Sequence, residues 1–148
     1  MSLINAVTSI NNAIIANMSD YTADNCKVGD EAVFAYIQNT EGAPQTCCIT
    51  EYAGFGVRGA SEFASRTIEW RIVINVFFRI QNTDYNTPLQ SARTFVDDLI
   101  QLVSSNPTLD GTVMVARPRT GSEPMSYARG NYEYVFVVVE FDVMDNIS

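Results

Sequence analysis

The alternation of side chains in residues 68–81 constrains the fold more than any other feature of the sequence. Large apolar residues occupy every second position: Trp70, Ile72, Ile74, Val76, Phe78 and Ile80. This period of two is typical of a β-strand with one buried face. At about 1.5–3 kcal/mol for each large side chain buried, the face contributes on the order of 10 kcal/mol before ordering entropy is subtracted. A register shift by one residue would expose the whole set, so we predict that this strand is central in its sheet.

Two amphipathic helices are predicted. The first covers residues 3–18, follows Ser2 as its N-cap and has a polar but uncharged outer face. Such a face suits either solvent or a neighbouring subunit, because little charge must be desolvated there. The second helix covers residues 87–105 and opens with a capping box of Thr87 and Gln90, with a proline at the first helical position. Its apolar stripe must cover one face of the sheet.

The other strands are less regular. Residues 32–38 and 46–52 suit a hairpin around a turn at 39–44, although 32–38 could instead be a short helix. A further strand is predicted at 112–117 and a long final strand at 132–143, one half of which is apolar on both faces. Because the second helix covers only one face of the sheet, either the first helix or another subunit must cover the other face.

Two long loops are predicted at residues 53–67, which include three glycines, and at residues 118–130. Loops of this length inside a compact domain are usually functional or disordered. We expect residues 1–148 to form a single domain, since no composition break divides the chain. The predicted fold class is α+β: a mostly antiparallel twisted sheet with an N-terminal helix and one central amphipathic helix packed on it, and two long loops.

Histidine is absent from the chain. Its absence excludes a Ser-His or Cys-His nucleophile, a histidine general base and a His-ligated zinc ion within one chain. The acidic residues are scattered, and the adjacent pair Asp97 and Asp98 falls on the polar side of the second helix, where a solvated face is the simpler interpretation. No glycine motif opens a phosphate-binding helix after a strand. We therefore predict a protein that is not an enzyme, with no catalytic, cofactor or metal site.

The three cysteines, Cys26, Cys47 and Cys48, are odd in number and lack CxxC spacing. This pattern indicates free thiols in a reducing compartment, although the adjacent pair could in principle bind a metal. The N-terminal helix lacks the basic region and the continuous apolar run of a signal peptide, and no run is long enough to span a bilayer. We expect no membrane partner.

The net charge of −8 is unevenly distributed. Residues 1–57 carry one lysine and six acids, residues 58–129 carry eight arginines and seven acids, and residues 130–148 carry four acids and no base. This excess of acidic residues argues against nucleic-acid binding over the whole protein surface. The arginines either pair with acids of adjacent subunits or are ordinary surface residues.

The order of the elements resembles that of a known family. A helix, a hairpin, a long glycine-containing loop, a central strand of the W-R-I-V-I-N-V-F-F type, a capped helix, a strand, an arm-like loop and a long terminal strand follow one another. Over nearly the whole chain this order is similar to that of the tail-terminator and tail-completion (head-tail joining) proteins of long-tailed bacteriophages. These families share a fold pattern more than invariant residues, so no residue role is transferred. The pair Cys47 and Cys48 is not part of the pattern.

The resemblance implies a subunit that assembles into a closed ring, a hexamer, at the head-proximal end of the tail tube. There the ring would terminate the tube and join it to the neck or head connector. The implied partners are further copies of the chain, the tail tube protein and a neck or head-connector protein, with DNA only as passing cargo. The implied location is the virion tail or neck, assembled in the host cytoplasm. An acidic chain suits a channel that DNA must pass without being held.

A ring subunit needs two different patches, one for each neighbour. The two long loops and the two-sided apolar sheet could supply them. The candidate interface residues lie on or beside the loops: Phe55, Arg58, Phe63, Arg66, Arg117, Arg119, Met125, Tyr127 and Arg129. The alternatives are a self-associating adaptor or binding module without a viral role, another phage neck or head-completion protein, and an enzyme with a carboxylate or tyrosine site.

Overall fold

The computed structural model of the chain describes residues 3–19, 21–29, 46–58, 66–129 and 132–147. Its helices and strands follow in chain order: α1 (Leu3–Asn17), β1 (Cys26–Val28), β2 (Thr46–Arg58), β3 (Arg66–Arg79), α2 (Asn86–Ser105), β4 (Val115–Gly121), β5 (Met125–Arg129) and β6 (Tyr132–Ile147). These elements confirm the predicted α+β fold class and both helices. The predicted N-cap Ser2, the segment 32–38, the turn at 39–44 and Phe63 lie outside the described residues.

The described strands form one sheet. β1, β2, β3, β6 and β4 lie side by side in that order, and β5 pairs with β6 beyond the end of β4. The β1–β2 pairing is parallel, and every other pairing among these strands is antiparallel. β3 and β6 are paired from Arg66 opposite Ile147 to Arg79 opposite Tyr134. β3 therefore lies in the interior of the sheet, as its alternating side chains predicted.

Both described helices pack on the same face of the sheet. Their buried residues share one cluster with the apolar alternation of β3 and β6: Val7, Ile10 and Ile14 of α1, Ala92, Phe95, Leu99 and Val103 of α2, Ile72, Ile74 and Val76 of β3, and Val137, Val139 and Phe141 of β6. α1 contacts β1 and β2, whereas α2 contacts β3, β4 and β6. The alternative in which α1 covers the second face of the sheet is wrong. α1 packs on β1 and β2, on the same face as α2.

The first predicted long loop is largely strand. β2 continues through Arg58 and β3 begins at Arg66, so residues 59–65 are the part that lies outside the described residues. The described residues 21–29 contain the short strand β1, which was not predicted. Glycines and exposed positions interrupt these segments, so they lack an apolar alternation like the one that identified β3.

The second predicted loop, residues 118–130, is also mostly strand in its described part, so the prediction of a loop there is wrong. β4 begins at Val115, later than predicted, and continues to Gly121. Residues 122–124 then separate it from β5, which pairs antiparallel with β6. Edge strands carry charged and proline residues on their exposed sides, and such residues resemble a loop in the sequence.

The start of α2 differs from the predicted capping box. Tyr85 occupies the N-cap position without a side-chain capping bond, and the carboxylate of Asp84 takes this role. Asp84 accepts hydrogen bonds from the backbone N–H groups of Asn86 and Thr87, at 3.1 and 3.3 Å, and from the Thr87 hydroxyl at 2.7 Å. These bonds, the hydroxyl first among them, lower the pKa of Asp84. Thr87 fails as a cap because its hydroxyl donates to Asp84 instead of accepting from the helix.

The contact between α2 and the sheet can be tested with a matched pair of substitutions. Leu99 is fully buried, whereas the adjacent Ile100 is 38% exposed. We expect Leu99→Asp to lower the free energy of unfolding by about 4 kcal/mol or more, because it buries an unpaired charge, and Ile100→Asp to change it by less than about 1 kcal/mol. Urea denaturation followed by circular dichroism measures both, and equal losses in the two variants would contradict this packing.

Thr50 offers a second test of the core. It is fully buried on β2, and its hydroxyl oxygen has no hydrogen-bond partner in the part of the chain that the structure describes. A buried hydroxyl left unpaired is costly, so we expect Thr50→Val, which keeps the shape, to raise the free energy of unfolding by about 1 kcal/mol. Thr120→Val, at an exposed position of β4, serves as the control. Destabilisation by Thr50→Val would mean that the hydroxyl is bonded in solution.

Candidate assembly interfaces

The sheet face opposite the two helices carries a smaller apolar cluster. Its buried members are Cys47, Ile49, Phe77 and Tyr134, with Tyr127 and Phe136 packed against them. The register places Phe77 of β3 between Cys47 of β2 and Phe136 of β6, so the three side chains point to the same side. We call these six residues the aromatic cluster. Neither of the described helices contributes to it.

Phe77 is the centre of the aromatic cluster. Its ring stacks on that of Phe136 with centroids 4.8 Å apart, and it meets the ring of Tyr134 edge-on at 6.1 Å. Tyr127 of β5 lies 5.4 Å from Phe77 and 6.0 Å from Phe136. Such aromatic pairs contribute about 0.5–1.5 kcal/mol beyond the area that they bury. Tyr127, expected on a loop, therefore belongs to the packing of the sheet.

The rim of the aromatic cluster is exposed. Met125 lies opposite Phe136 in the β5–β6 pairing and is 45% exposed. Tyr132 is exposed as well, and the guanidinium carbon of Arg79 lies 5.3 Å from its ring centroid. A cation over an exposed aromatic ring contributes about 0.5–1 kcal/mol. The rim thus presents a thioether on β5 and, at the start of β6, an aromatic ring that contacts a cation of β3.

Charged residues cross the other end of the same face. The register places Asp142 of β6 between Arg71 of β3 and Arg117 of β4. Arg119 follows a register shift in β4, and its Nη1 lies 3.6 Å from Oδ1 of Asp142. Both partners are partly exposed, so this ion pair contributes only about 0–1 kcal/mol. Arg117 and Arg119 thus lie beside a carboxylate of their own chain.

One border of the sheet is formed by residues 52–58 of β2, which we call the β2 edge. β1 pairs with β2 only at residues 48–50, so among the described strands the β2 edge is paired on one side alone, with β3. Tyr52 and Phe55 are exposed there, Phe55 to 65%. The segment contains no proline, and no charged residue before Arg58. Proline and charge are what usually protect an edge from pairing with another chain.

The opposite border is the β4–β5 edge, residues 115–129. β4 and β5 lie end to end along β6, and Pro118 and Pro124 remove two backbone donors from this border. Arg117, Arg119 and Met125 are exposed on it. The two borders therefore differ in sequence: the β2 edge has no proline and no charge before Arg58, and the β4–β5 edge has prolines, arginines and a methionine.

No protein-family model matches this chain, and no curated protein matches it. Among solved structures, a protein whose name states no function aligns with 92% of this chain and 94% of its own, at 17% sequence identity and a TM-score of 0.43. That similarity is too low to assign a fold or a function. The surfaces themselves are therefore the basis for inferring one.

The structure separates the predicted interface residues into two groups. Phe55 lies on the β2 edge, and Arg117, Arg119, Met125 and Tyr127 lie on the β4–β5 edge. β3 and β6 stand between the two groups. Arg117 was predicted at the end of a strand and the other four in loops, and the structure presents all five on strands with a fixed register.

For the other four predicted residues, the structure describes the backbone alone or nothing. Arg58 ends β2, Arg66 begins β3 and Arg129 ends β5, and the structure describes the backbone of these three residues but not their side chains. Phe63 is not among the described residues. Their role in an interface stays a prediction.

Tyr52 and Asp142 were not among the predicted interface residues. The position of Asp142 between two arginines depends on the register of β4, for which the local sequence carries no signal. Tyr52 occupies an apolar position of a predicted strand, and its exposure follows from the short length of β1. Both signals are non-local, so no local pattern in one sequence reveals them.

The described residues contain no group of three or more histidine, cysteine or acidic side chains that could hold a metal ion. No described helix is long and apolar enough to cross a membrane. That the chain has no catalytic or cofactor site stays a prediction.

Tyr127 tests whether β5 is part of the fold. We expect Tyr127→Ala to lower the free energy of unfolding by about 1–3 kcal/mol, because it removes ring contacts with Phe77 and Phe136. Met125→Ala, on the same strand but at the exposed rim, should cost less than about 1 kcal/mol. Chemical denaturation gives both values. An unchanged stability in Tyr127→Ala would show that β5 is not packed against the sheet.

Proposed function

We propose that this chain is a structural ring subunit of a bacteriophage tail. Copies would join edge to edge into a closed ring at the head-proximal end of the tail tube, ending the tube and joining it to the neck or head connector. The role in the tail, six as the number of copies, and the virion location come from the family resemblance. The observation that carries self-assembly is the chemical difference between the β2 edge and the β4–β5 edge.

Two unlike patches favour a head-to-tail contact. In a two-fold dimer the same patch meets itself, whereas a ring joins one patch of each subunit to a different patch of the next. The β2 edge presents Tyr52, Phe55 and a backbone that contains no proline, whereas the β4–β5 edge presents Met125 on β5 and Arg117 and Arg119 on β4. Aromatic and methionine side chains pack well against each other, about 0.3–1.5 kcal/mol for a sulfur-ring contact. We therefore place the β2 edge of one subunit against the β4–β5 edge of its neighbour.

The charge of the chain supports a role around DNA that does not hold DNA. The net charge is −8, and Arg119 lies within ion-pair distance of an aspartate of its own chain. Phosphate binding would need uncompensated cations. A ring of such subunits would let DNA pass, with the tail tube protein and a neck or head-connector protein as its lasting partners.

Complementary edge variants test the head-to-tail contact. Phe55→Asp alters only the β2 edge and Met125→Asp only the β4–β5 edge, and both positions are exposed, so folding should be unaffected. We expect each variant alone to be monomeric, with association weakened roughly a hundredfold. Mixed together, they should form a one-to-one heterodimer, because one intact pair of edges remains, but no ring. Sedimentation velocity and native mass spectrometry measure these states.

Ile100→Asp, on the exposed side of α2, is the control and should assemble as the wild type does. A wild-type chain that stays monomeric at high concentration, with and without tail tubes, would sink the ring proposal. A dimer that survives both edge substitutions would instead favour a self-associating adaptor that uses another surface. Negative-stain images of wild-type protein mixed with tail tubes of the same phage should show rings at one tube end, and even decoration of the tubes would contradict the terminator role.

A further inference from the structure

Two of the three thiols lie side by side in the parallel pairing of β1 and β2. Cys26 is the register partner of Cys48, and both side chains are buried in the cluster under the helices. Neighbouring strands lie about 4.7–4.9 Å apart. A disulfide joins residues whose Cα atoms are about 4.4–6.8 Å apart. The strand spacing therefore already brings this pair within reach of a disulfide.

Cys47 cannot compete for either partner. Consecutive residues of a strand point to opposite faces of the sheet. Cys47 accordingly lies in the aromatic cluster, on the other side of the sheet from Cys26 and Cys48. Its burial also raises the pKa of its thiol to about 12, so its reactive thiolate form is suppressed. Of the three possible pairs of thiols, the fold selects one.

The selected thiols differ in acidity. The hydrogen bond from the Cys48 thiol to the Cys26 sulfur is the main cause that lowers the pKa of Cys26; burial opposes it, and the Thr22 backbone and the charge of Lys27 support it. The same bond, together with burial, raises the pKa of Cys48. Cys26 also lies in a three-residue strand at the border of the described sheet, followed closely by the exposed Val28. The Cys26 sulfur is thus suited to react first with an oxidant, and the Cys48 sulfur is suited to attack the oxidised Cys26 and form the disulfide.

We propose that peroxides oxidise Cys26 and Cys48 to an intramolecular disulfide. The Cys26 thiolate attacks one oxygen of hydrogen peroxide and the O–O bond breaks, which gives a sulfenic acid and a hydroxide that takes up the proton released by Cys26. The Cys48 sulfur then attacks the sulfenic sulfur, the S–O bond breaks, and the leaving hydroxide takes the Cys48 proton as water. In total, two thiols are oxidised and one peroxide is reduced to two waters.

The disulfide would connect α1 and β1 to the rest of the sheet. It closes a chain segment that contains residues 27–47, and restricting a segment of this length in the unfolded chain raises the melting temperature by on the order of 10 °C. The site does not depend on the ring proposal, because both thiols lie within one subunit.

Peroxide treatment of the purified full chain tests the site. Trypsin cuts after Lys27 and Arg58, so Cys26 falls in one peptide while Cys47 and Cys48 share the next, and variants must distinguish these two. Wild type and Cys47→Ala should each lose two hydrogen atoms in intact mass and yield the two peptides linked. Both should melt about 10 °C higher after oxidation, and dithiothreitol should reverse the change. Cys48→Ala should stay unlinked.

Three results would each overturn the proposal. One is a wild-type chain that stays reduced at a peroxide concentration that oxidises the urea-unfolded chain. Another is a linked Cys48→Ala chain, which would show that Cys47 reaches Cys26. The third is cross-linking only between molecules on a non-reducing gel. Melting each variant before oxidation shows whether it is folded, and if Cys48→Ala is not, the wild type and Cys47→Ala still decide, because both retain the pair.

Discussion

The pairing of β3 with β6 determines where the other described elements lie. One continuous register, from Arg66 opposite Ile147 to Arg79 opposite Tyr134, assigns every residue of both strands to a face at once. A shift by one residue would carry Ile72 and its alternating neighbours away from the helices. Both helices pack on the face with unbroken apolar alternation. The other face carries the aromatic cluster at one end and charged residues at the other. The two-sided character of the sheet thus follows from a single ladder.

The same ladder sets the relation between the two borders of the sheet. The β2 edge and the β4–β5 edge are held apart by β3 and β6, whose pairing is long and buried on the helix side. A closed ring requires a constant rotation between one contact patch and the next. Patches on mobile loops would leave this rotation variable, whereas patches on strands of one sheet keep it constant. Strands in the described parts of the two expected loops are therefore compatible with the proposed ring.

The parts of the fold that could be predicted are those whose own residues are buried on one side. The alternation in β3 and the stripe around Leu99 in α2 both reflect a local period set by burial. Tyr127 was misplaced because the proline, serine and glycine residues around β5 have the composition of a loop, although its partner β6 begins only three residues after Arg129. The cap at Asp84 was missed because Thr87 fits the local capping pattern equally well. The contacts and ion pairs of edge strands depend on the register between two segments, and neither segment alone determines that register.

The short length of β1 connects the thiol pair with the assembly surface. β1 covers β2 from Cys48 to Thr50, and the Gly29 N–H closes this pairing by donating to the Thr50 carbonyl at 3.0 Å. Beyond that point β2 continues to Arg58 with β3 as its partner among the described strands, which is why Phe55 is exposed. Among the described strands, β2 thus has a covered half, paired on both sides, and an open half, paired with β3 alone. A disulfide at Cys48 would secure the covered half and leave the open half unchanged, so oxidation should stabilise the subunit without closing the edge through which it is proposed to assemble.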